Sequence, residues 1–472
     1  MEIQNKIPVN LGLFGHIDSG KTAVAKAISE IISTAGIDAH PQSKERGITI
    51  DLGFTSFIID DYLVNLVDGP GHADLIKISA SSVEIIDCAL IVIDINKGPQ
   101  IQTGEHLVMI ESLGINSILV ILNKIDLFKG DIQKEIEKTR RFFGTTSFSS
   151  NVSIYPVSAK NKAGFENLKE GILETINSLD IQRDLKREVI IPIDHYFTVK
   201  GRGTVFTGTI LQGVLQQKDD LEILPIKDSG IVKNIQTFHQ NVQKAKAGSR
   251  VGVNIKNIDI DKLYRGCYAT TDSNLFDYCD IIEIKVNKSK LFKPEVNFGT
   301  QIHLTIGMTT ITGNIYPYYE KDRKRIQTSV PQKETEFKAI CLLKEYSLIR
   351  KRSNTMLLSR LDLPPTTLRI IGSADLLKIH EKVPLFYKYK IKKGKVKYPS
   401  HTEGIVCTDL AQSYEGAKKI VGKDLESPFT QIIGTFGTKG AVIVGIDNKD
   451  LPINKGDSVI LKELRSFQLK KI

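Results

Sequence analysis

The chain has 472 residues, 41% of them hydrophobic and 25% charged, with a formal net charge of +10. That length allows three or four separate cores, and the composition is that of an ordinary soluble protein. No apolar run reaches membrane-spanning length and no signal-peptide pattern precedes the first strand, so a cytoplasmic protein is expected.

The first element is the apolar run Val9–Phe14, which reads as a strand. It delivers the chain to Gly15-His16-Ile17-Asp18-Ser19-Gly20-Lys21-Thr22, a G-x-x-x-x-G-K-T loop, and then to a helix over Ala23–Ile32. A strand, a glycine-rich loop and a helix N-terminus in that order converge backbone N–H groups on anionic phosphate. Asp18, Ser19, Gly20, Lys21, Thr22 and Ala23 are therefore expected to cradle a nucleotide. Lys21 would reach the β- and γ-phosphates, and the Thr22 hydroxyl would sit on Mg²⁺.

Four further segments follow. Thr49, in Arg46-Gly47-Ile48-Thr49-Ile50, can close over a γ-phosphate and add a second hydroxyl to the metal. Behind the strand-like Leu63–Val67 comes Asp68-Gly69-Pro70-Gly71-His72, where Asp68 can hold a metal-bound water and the Gly71 N–H can report a γ-phosphate. Asn123-Lys124-Ile125-Asp126 closes the run Ile118–Leu122, and the Asp126 carboxylate can accept from guanine N1–H and its exocyclic amine, a pair that adenine lacks. Ser158-Ala159-Lys160 follows Ile154–Val157 and would touch guanine O6. Each fragment alone is ordinary turn composition. Five in this order, four of them directly behind strand-like runs, predict a guanine-nucleotide site with GTP or GDP and Mg²⁺ as its ligands.

Up to about Leu179, strands alternate with amphipathic helices (Ala23–Ile32, Ile132–Phe143, Glu166–Ser178), the pattern of a doubly wound parallel sheet. From Val189 onwards short β-branched strands such as Thr204–Ile210, Leu221–Leu224 and Arg250–Ile255 are separated by Gly, Asp and Asn turns, the pattern of successive β-barrels. Breaks fall near Asp272–Asp280 and Glu381–Pro384. The expected fold is thus multidomain, α/β then β: a P-loop GTPase domain over residues 1–180, then three β-barrel-type domains over 186–275, 280–381 and 382–472. The cysteines Cys88, Cys267, Cys279, Cys341 and Cys407 form no C-x-x-C pair, which argues for free thiols in a reducing compartment.

The charge is uneven. From Lys382 onwards there are 17 Lys and Arg against 9 Asp and Glu, a balance of +8. Lys388, Lys390, Lys392, Lys393, Lys395 and Lys397 alternate with Tyr389, Ile391 and Val396 as on a strand with one basic face, an electrostatic footprint for RNA or else a solubilising edge strand. Lys321 to Arg325 reads as a polar connection.

The phosphate loop, the Arg-Gly-Ile-Thr segment, Asp-x-Pro-Gly-His and Gly201-Arg202-Gly203-Thr204-Val205-Phe206-Thr207-Gly208 resemble the elongation factor Tu superfamily of translational GTPases. The run from Pro41 to Phe54, Arg360-Leu361-Asp362-Leu363-Pro364-Pro365-Thr366-Thr367-Leu368-Arg369-Ile370 and Gly434-Thr435-Phe436-Gly437-Thr438-Lys439-Gly440 resemble its selenocysteine-specific branch, in the archaeal and eukaryotic form. The chain stops before the winged-helix repeats of the bacterial form would begin. Gly69 departs from the alanine or cysteine usual there, a small-for-small change.

The resemblance implies that His72 is the catalytic histidine that orients the attacking water once the ribosome repositions it, with Ile17 and Ile48 screening it beforehand. It implies a carrier that binds GTP and selenocysteinyl-tRNA, delivers the tRNA to the ribosome at UGA codons and hydrolyses GTP on release. A monomer is expected, and a selenocysteine-insertion RNA element, or its binding protein, is the expected partner of the last domain. The γ subunit of initiation factor 2 and the GTPase subunit of ATP sulfurylase share the architecture. The first lacks the Asp-His and Arg substitutions described next, and the basic last domain argues against the second.

Where ordinary factors resemble Pro-Ile-Glu-Asp and Ala-Gly-Glu-Asn-Val-Gly, this chain has Pro192-Ile193-Asp194-His195 and Ala247-Gly248-Ser249-Arg250-Val251-Gly252. Asp194, His195 and Arg250 are the expected aminoacyl pocket, with a gain of positive charge. A selenol is more acidic than a thiol, whose ordinary pKa is about 8.5, so a cationic pocket would favour selenolate over serine. The same residues read equally well as a salt bridge between domains.

Overall fold

The computed structural model describes residues 5–29, 31–32, 52–69, 83–144, 146–148, 152–199, 203–351, 355–447 and 451–470. The chain divides into two units, Met1–Pro317 with Ser329–Glu381, and Tyr318–Thr328 with Lys382–Lys471.

In the first unit, the N-terminal sheet runs in the order Ile31–Ile32, Gly53–Ile59, Tyr62–Asp68, Ile7–Phe14, Cys88–Asp94, Ile118–Asn123, Ile154–Pro156. The last five are parallel to one another, and Gly53–Ile59 lies antiparallel on Tyr62–Asp68. Parallel strands buried on both faces must be apolar along their length, and Cys88–Asp94 is buried at every residue. Helices Lys21–Ile28 and Phe165–Ser178 cover one face through Val24, Ile28, Leu168 and Ile172. Helices Ile101–Ser112 and Ile132–Phe143 cover the other through Leu107, Ile110 and Phe143. This is the expected doubly wound α/β sheet.

Two elements differ from expectation. The first helix stops at Ile28 instead of Ile32, because Ser29 turns extended and its hydroxyl donates back to the Ala25 carbonyl. The β-branched pair Ile31–Ile32 then joins the sheet edge against Thr55 and Ser56. The Ile101–Ser112 helix was not expected, since Thr103 and every residue from Glu105 to Ile110 are buried, which erases the amphipathic stripe that marks a surface helix.

Two β-barrels complete this unit. In the first, Asp220–Leu224, Tyr268–Thr270, Ile190–Val199, Gly203–Thr209, Arg250–Ile255 and Asp228–Thr237 pair in sequence, and Asp228–Thr237 pairs back to Asp220–Leu224 to close the ring. In the second, Thr300–Ile306, Thr355–Ser359, Ile370–Ile379, Phe276–Lys288, Glu336–Arg350 and the strand from Thr309 close in the same way. Val251, Phe206 and Ile235 sit in the first core, and Ile302, Ile284 and Met356 in the second.

The second unit is built on the long strand Leu385–Tyr398. It pairs with Ser458–Gln468 on one side and Ile405–Thr408 on the other, followed by Ala441–Ile446 and Phe429–Phe436. Bridges Asp424↔Gln431 and Leu425↔Leu461 complete a barrel-type ring around Val396, Cys407, Ile432 and Leu461. Lys321 to Arg325 is a hairpin tip instead of a loose connection: Lys321 pairs with Lys324, and Asp322 and Arg323 take left-handed conformations that match the strand twist.

No helix among the described residues is long and apolar enough to cross a membrane. All five cysteines are buried free thiols.

Candidate functional site

The strand Ile7–Phe14 ends at a loop that only glycine can form at two points. Gly15 lies at φ 147°, where a Cβ would stand 2.2 Å from the Val92 carbonyl oxygen, and Gly20 at φ 89°, where it would stand 2.3 Å from Asn123 Nδ2. Inside the loop, Lys21 Nζ donates to the carbonyls of Gly15 (3.2 Å) and His16 (3.3 Å). Burial pushes its ammonium pKa down, with Asp68 and Asp18 opposing. Ser19 Oγ is buried with no protein partner among the described residues, and Ala23 follows in the first helical turn. Thr22 Oγ1 donates to Asp68 Oδ2 at 2.7 Å. A hydroxyl and a buried carboxylate so placed are hard oxygen donors of the kind Mg²⁺ takes. Thr49, Gly71, His72 and Ile48 lie outside the described residues.

The segments expected to read guanine meet this loop directly. Asn123 Nδ2 donates to the Ser19 carbonyl (3.0 Å), and Asn123 Oδ1 accepts from the Ala159 N–H (3.1 Å). One asparagine therefore ties three of the predicted segments together. Lys124 Nζ donates to the Asp18 carbonyl (2.5 Å) and to Asp94 Oδ2 (2.8 Å). Ser158 Oγ donates to Asp126 Oδ1 (2.6 Å), and Asp126 and Lys160 are exposed.

Two residues of this site were not selected from the sequence. Burial works to raise the Asp94 pKa, but Lys124 and the Asn96 N–H donors hold it below the usual range. Its place at the end of the strand Cys88–Asp94 was the available signal. His106 Nδ1 accepts from the Gly15 N–H at 3.2 Å. Burial, with Lys21 and His16 adding to it, lowers the His106 pKa to about 3, so the ring is a neutral acceptor that holds the loop entrance. His16 in turn pairs with Gln102 through Nδ1.

Asp194, His195 and Arg250 are brought together in the first barrel. The pairing register slips between Ile193 and His195, a bulge that re-aims Asp194 inward. Arg250 makes a double contact with Asp194 (Nη1–Oδ2 2.6 Å, Nη2–Oδ1 2.9 Å) and a third with Thr207 Oγ1 (3.2 Å). His195 Nδ1 lies 2.8 Å from Asp194 Oδ1. Burial would raise the Asp194 pKa, but the Arg250 guanidinium outweighs it and holds the carboxyl well below the usual carboxylate range.

Phe54, on the strand Gly53–Ile59 of the N-terminal sheet, covers this group. Its ring centroid lies 3.2 Å from Arg250 Cζ and 6.2 Å from the His195 ring. The ion pair is not one between domains. The three residues cluster, yet Asp194 neutralises Arg250 within one barrel, and contact with the neighbouring domain runs through the Phe54 ring instead of a salt bridge. Arg250 Nε is buried without a hydrogen-bond partner among the described residues, beside a crevice of about 30 Å³ lined by Thr207, Phe238, His239 and Gly252.

In the second unit the lysine run does form a strand, but not one basic face. Side chains alternate along a strand, so Lys388, Lys390 and Lys392 fall on one side and Lys393, Lys395 and Lys397 on the other. Lys392 belongs to an ion network with Lys423 and Arg465 around Glu463.

Comparison with known proteins aligns with this geometry. The family model described as elongation factor Tu GTP binding domain matches residues 6–178, and that of elongation factor Tu domain 2 matches 203–270. The model of archaeal selenocysteine-specific elongation factor, domain III, matches 276–380. A selenocysteine-specific elongation factor of Methanocaldococcus jannaschii is 40% identical over 99% of both chains. One of Mus musculus is 38% identical over 65% of this chain and 56% of its own length. The crystal structure of translation elongation factor SelB from Methanococcus maripaludis, in complex with the GTP analogue GppNHp, superposes with a TM-score of 0.82 at 34% identity, covering 98% of this chain and 99% of that one.

Proposed function

This chain belongs to the selenocysteine-specific elongation factors, a family of translational GTPases, and we propose that it carries selenocysteinyl-tRNA to the ribosome at UGA codons and releases it when GTP is hydrolysed. Thr22, Thr49 and Asp68 would hold Mg²⁺, whose charge offsets that of the phosphates. Lys21 and the loop N–H groups bind the phosphates, and Asn123, Asp126 and Ser158 orient the base. His72 positions water only after the ribosome moves it, so the resting protein hydrolyses slowly. The monomeric, cytoplasmic protein uses its basic C-terminal unit to reach an RNA element or an RNA-bound protein.

The observation that carries the reading is the buried Asp194–Arg250 pair, roofed by Phe54 and edged by His195. A selenolate can compete with Asp194 for the guanidinium, whereas a serine hydroxyl cannot match what that exchange costs in lost pairing. Binding of Sec-tRNA and Ser-tRNA to the GTP form tests this, in wild type and in Asp194→Asn/Arg250→Gln, which removes both charges and strands neither. The preference for Sec-tRNA should fall roughly ten- to a hundred-fold, the worth of a charge-assisted contact of about 1.5–3 kcal/mol. Ser-tRNA affinity should change little. If both tRNAs weaken equally, the pair supports the fold and the selenium-selecting group lies elsewhere.

A further inference from the structure

At one end of the C-terminal unit three rings from different segments meet. Tyr398 ends the strand Leu385–Tyr398, His401 follows in the next turn, and Phe436 ends the strand Phe429–Phe436. Tyr398 and Phe436 lie 6.3 Å apart at 66°, and His401 and Phe436 lie 5.0 Å apart at 80°. Neither pair is stacked, so the cluster keeps ring faces that a planar group can cover. Tyr398 is 43% exposed, His401 is exposed, and Phe436 is half-buried. The hairpin from Phe436 to Ala441 turns at Gly437 (φ 63°) and Gly440 (φ 78°), and a Cβ at Gly437 would meet nothing within 4 Å.

The charge around these rings is cationic. Lys393, Lys395 and Lys397 are exposed while Gly394 and Val396 between them are buried, so the three lysines line one side of the strand that leads to Tyr398. The pairing register shifts between Val396 and Tyr398, an irregularity of the kind that re-aims side chains, and Lys397 Nζ lies 5.1 Å from the Tyr398 ring centroid. Lys439 is exposed on the hairpin. Of the carboxylates on adjoining turns, Asp409 accepts from Thr408 Oγ1 and Asp457 from the Asn454 N–H, and Glu403 is exposed. A row of cations beside aromatic faces is the combination that binds single-stranded nucleic acid, with the backbone along the lysines and a base on the rings. A paired helix keeps its bases stacked inside and has none to offer.

We infer that Tyr398, His401 and Phe436 form a stacking platform for an unpaired base of an RNA whose backbone follows Lys393, Lys395 and Lys397. This rests on the reading of the C-terminal unit as RNA-binding and gives that unit a ligand class.

The test uses the full chain with GTP and two fluorescent RNA probes: a hairpin with a loop of unpaired adenosines, and the same stem as a blunt duplex. Anisotropy titrations from 50 to 200 mM KCl give affinity and salt slope. Wild type should prefer the looped probe. Tyr398→Ala/His401→Ala, both exposed positions, should lower affinity for that probe about tenfold or more with an unchanged salt slope, as expected for a lost stacking surface. Phe436→Ala should do the same, and Phe436→Trp should retain binding. Lys393→Gln/Lys395→Gln/Lys397→Gln should instead reduce the log–log salt slope by about 2, roughly 0.7 per lost contact to a single strand. Equal binding of both probes, with the aromatic variants unchanged, overturns the platform while leaving charge-driven RNA binding intact, and assigns the rings to a protein surface. Absence of binding to either probe at 50 mM KCl overturns the RNA reading of the unit itself.

Discussion

Ser158 holds one oxygen of Asp126 at 2.6 Å, on an exposed turn that Asn123 ties to the phosphate loop. That contact fixes the orientation of the carboxylate that is proposed to read the base. Asp126→Asn should shift preference from GTP toward XTP, because xanthine presents a carbonyl where guanine has its amine. Equilibrium titration with both nucleotides checks this, and an unchanged GTP preference would remove Asp126 from base reading. His106 yields a second residue-scale expectation. Its pKa is about 3 in the folded protein against about 6.5 in an unfolded chain, so the unfolded state binds the extra proton between those values. Its contribution is fully present above pH 6.5 and declines as pH falls toward 3, by up to about 1.4 kcal/mol per pH unit. His106→Asn keeps an acceptor for the Gly15 N–H and cannot titrate. Denaturant melts between pH 7 and 5 should show a shallower loss of stability in the variant than in wild type. Equal slopes would mean that His106 is hydrated and charged at the lower pH.

The Ile101–Ser112 helix joins two parts of the first unit through consecutive residues. Glu105 receives the Arg369 side chain of the second barrel at 2.8 and 2.9 Å and its backbone N–H at 3.1 Å, with both side chains almost fully buried. His106, the next residue, holds the phosphate loop. Removing one member of a buried pair strands the other, so Glu105→Ala should cost about 3–5 kcal/mol, whereas Glu105→Leu with Arg369→Met should recover most of it. A double-mutant cycle in urea measures this, and additive losses would show that the two side chains act independently. This helix was hard to read in the sequence because burial on every side leaves no 3.6-residue stripe. Ile132–Phe143, with one face in solvent, was plain. The lysine strand gave the opposite lesson: its existence was legible, but the consecutive Lys392 and Lys393 shift the lysines from even to odd positions and so to the other face.

For the molecule as a whole, nucleotide binding and turnover are predicted to separate. His72→Ala should leave GTP affinity nearly intact and abolish ribosome-stimulated hydrolysis, since the lost interaction belongs to the transition state. Single-turnover hydrolysis on ribosomes measures it, and an unchanged rate would place the water-orienting group elsewhere.

Local chemistry made the nucleotide site readable from the sequence alone. The phosphate loop is one contiguous strand–turn–helix, and the base-reading turns must each follow a parallel strand, so order along the chain already encodes their meeting at one sheet edge. The same reasoning reached the change from α/β to β pattern, whereas Asp194, His195 and Arg250 were singled out only by resemblance, where two short motifs depart from those of ordinary factors. What it could not reach were contacts between residues far apart in the chain. That Asp94 serves Lys124, that His106 receives the Gly15 N–H, that Phe54 roofs Arg250, and that Asp194 cancels the charge expected to be free there all follow from packing of one element on another. Side-chain periodicity says which way a residue faces within its own element, and only the folded arrangement decides what it faces.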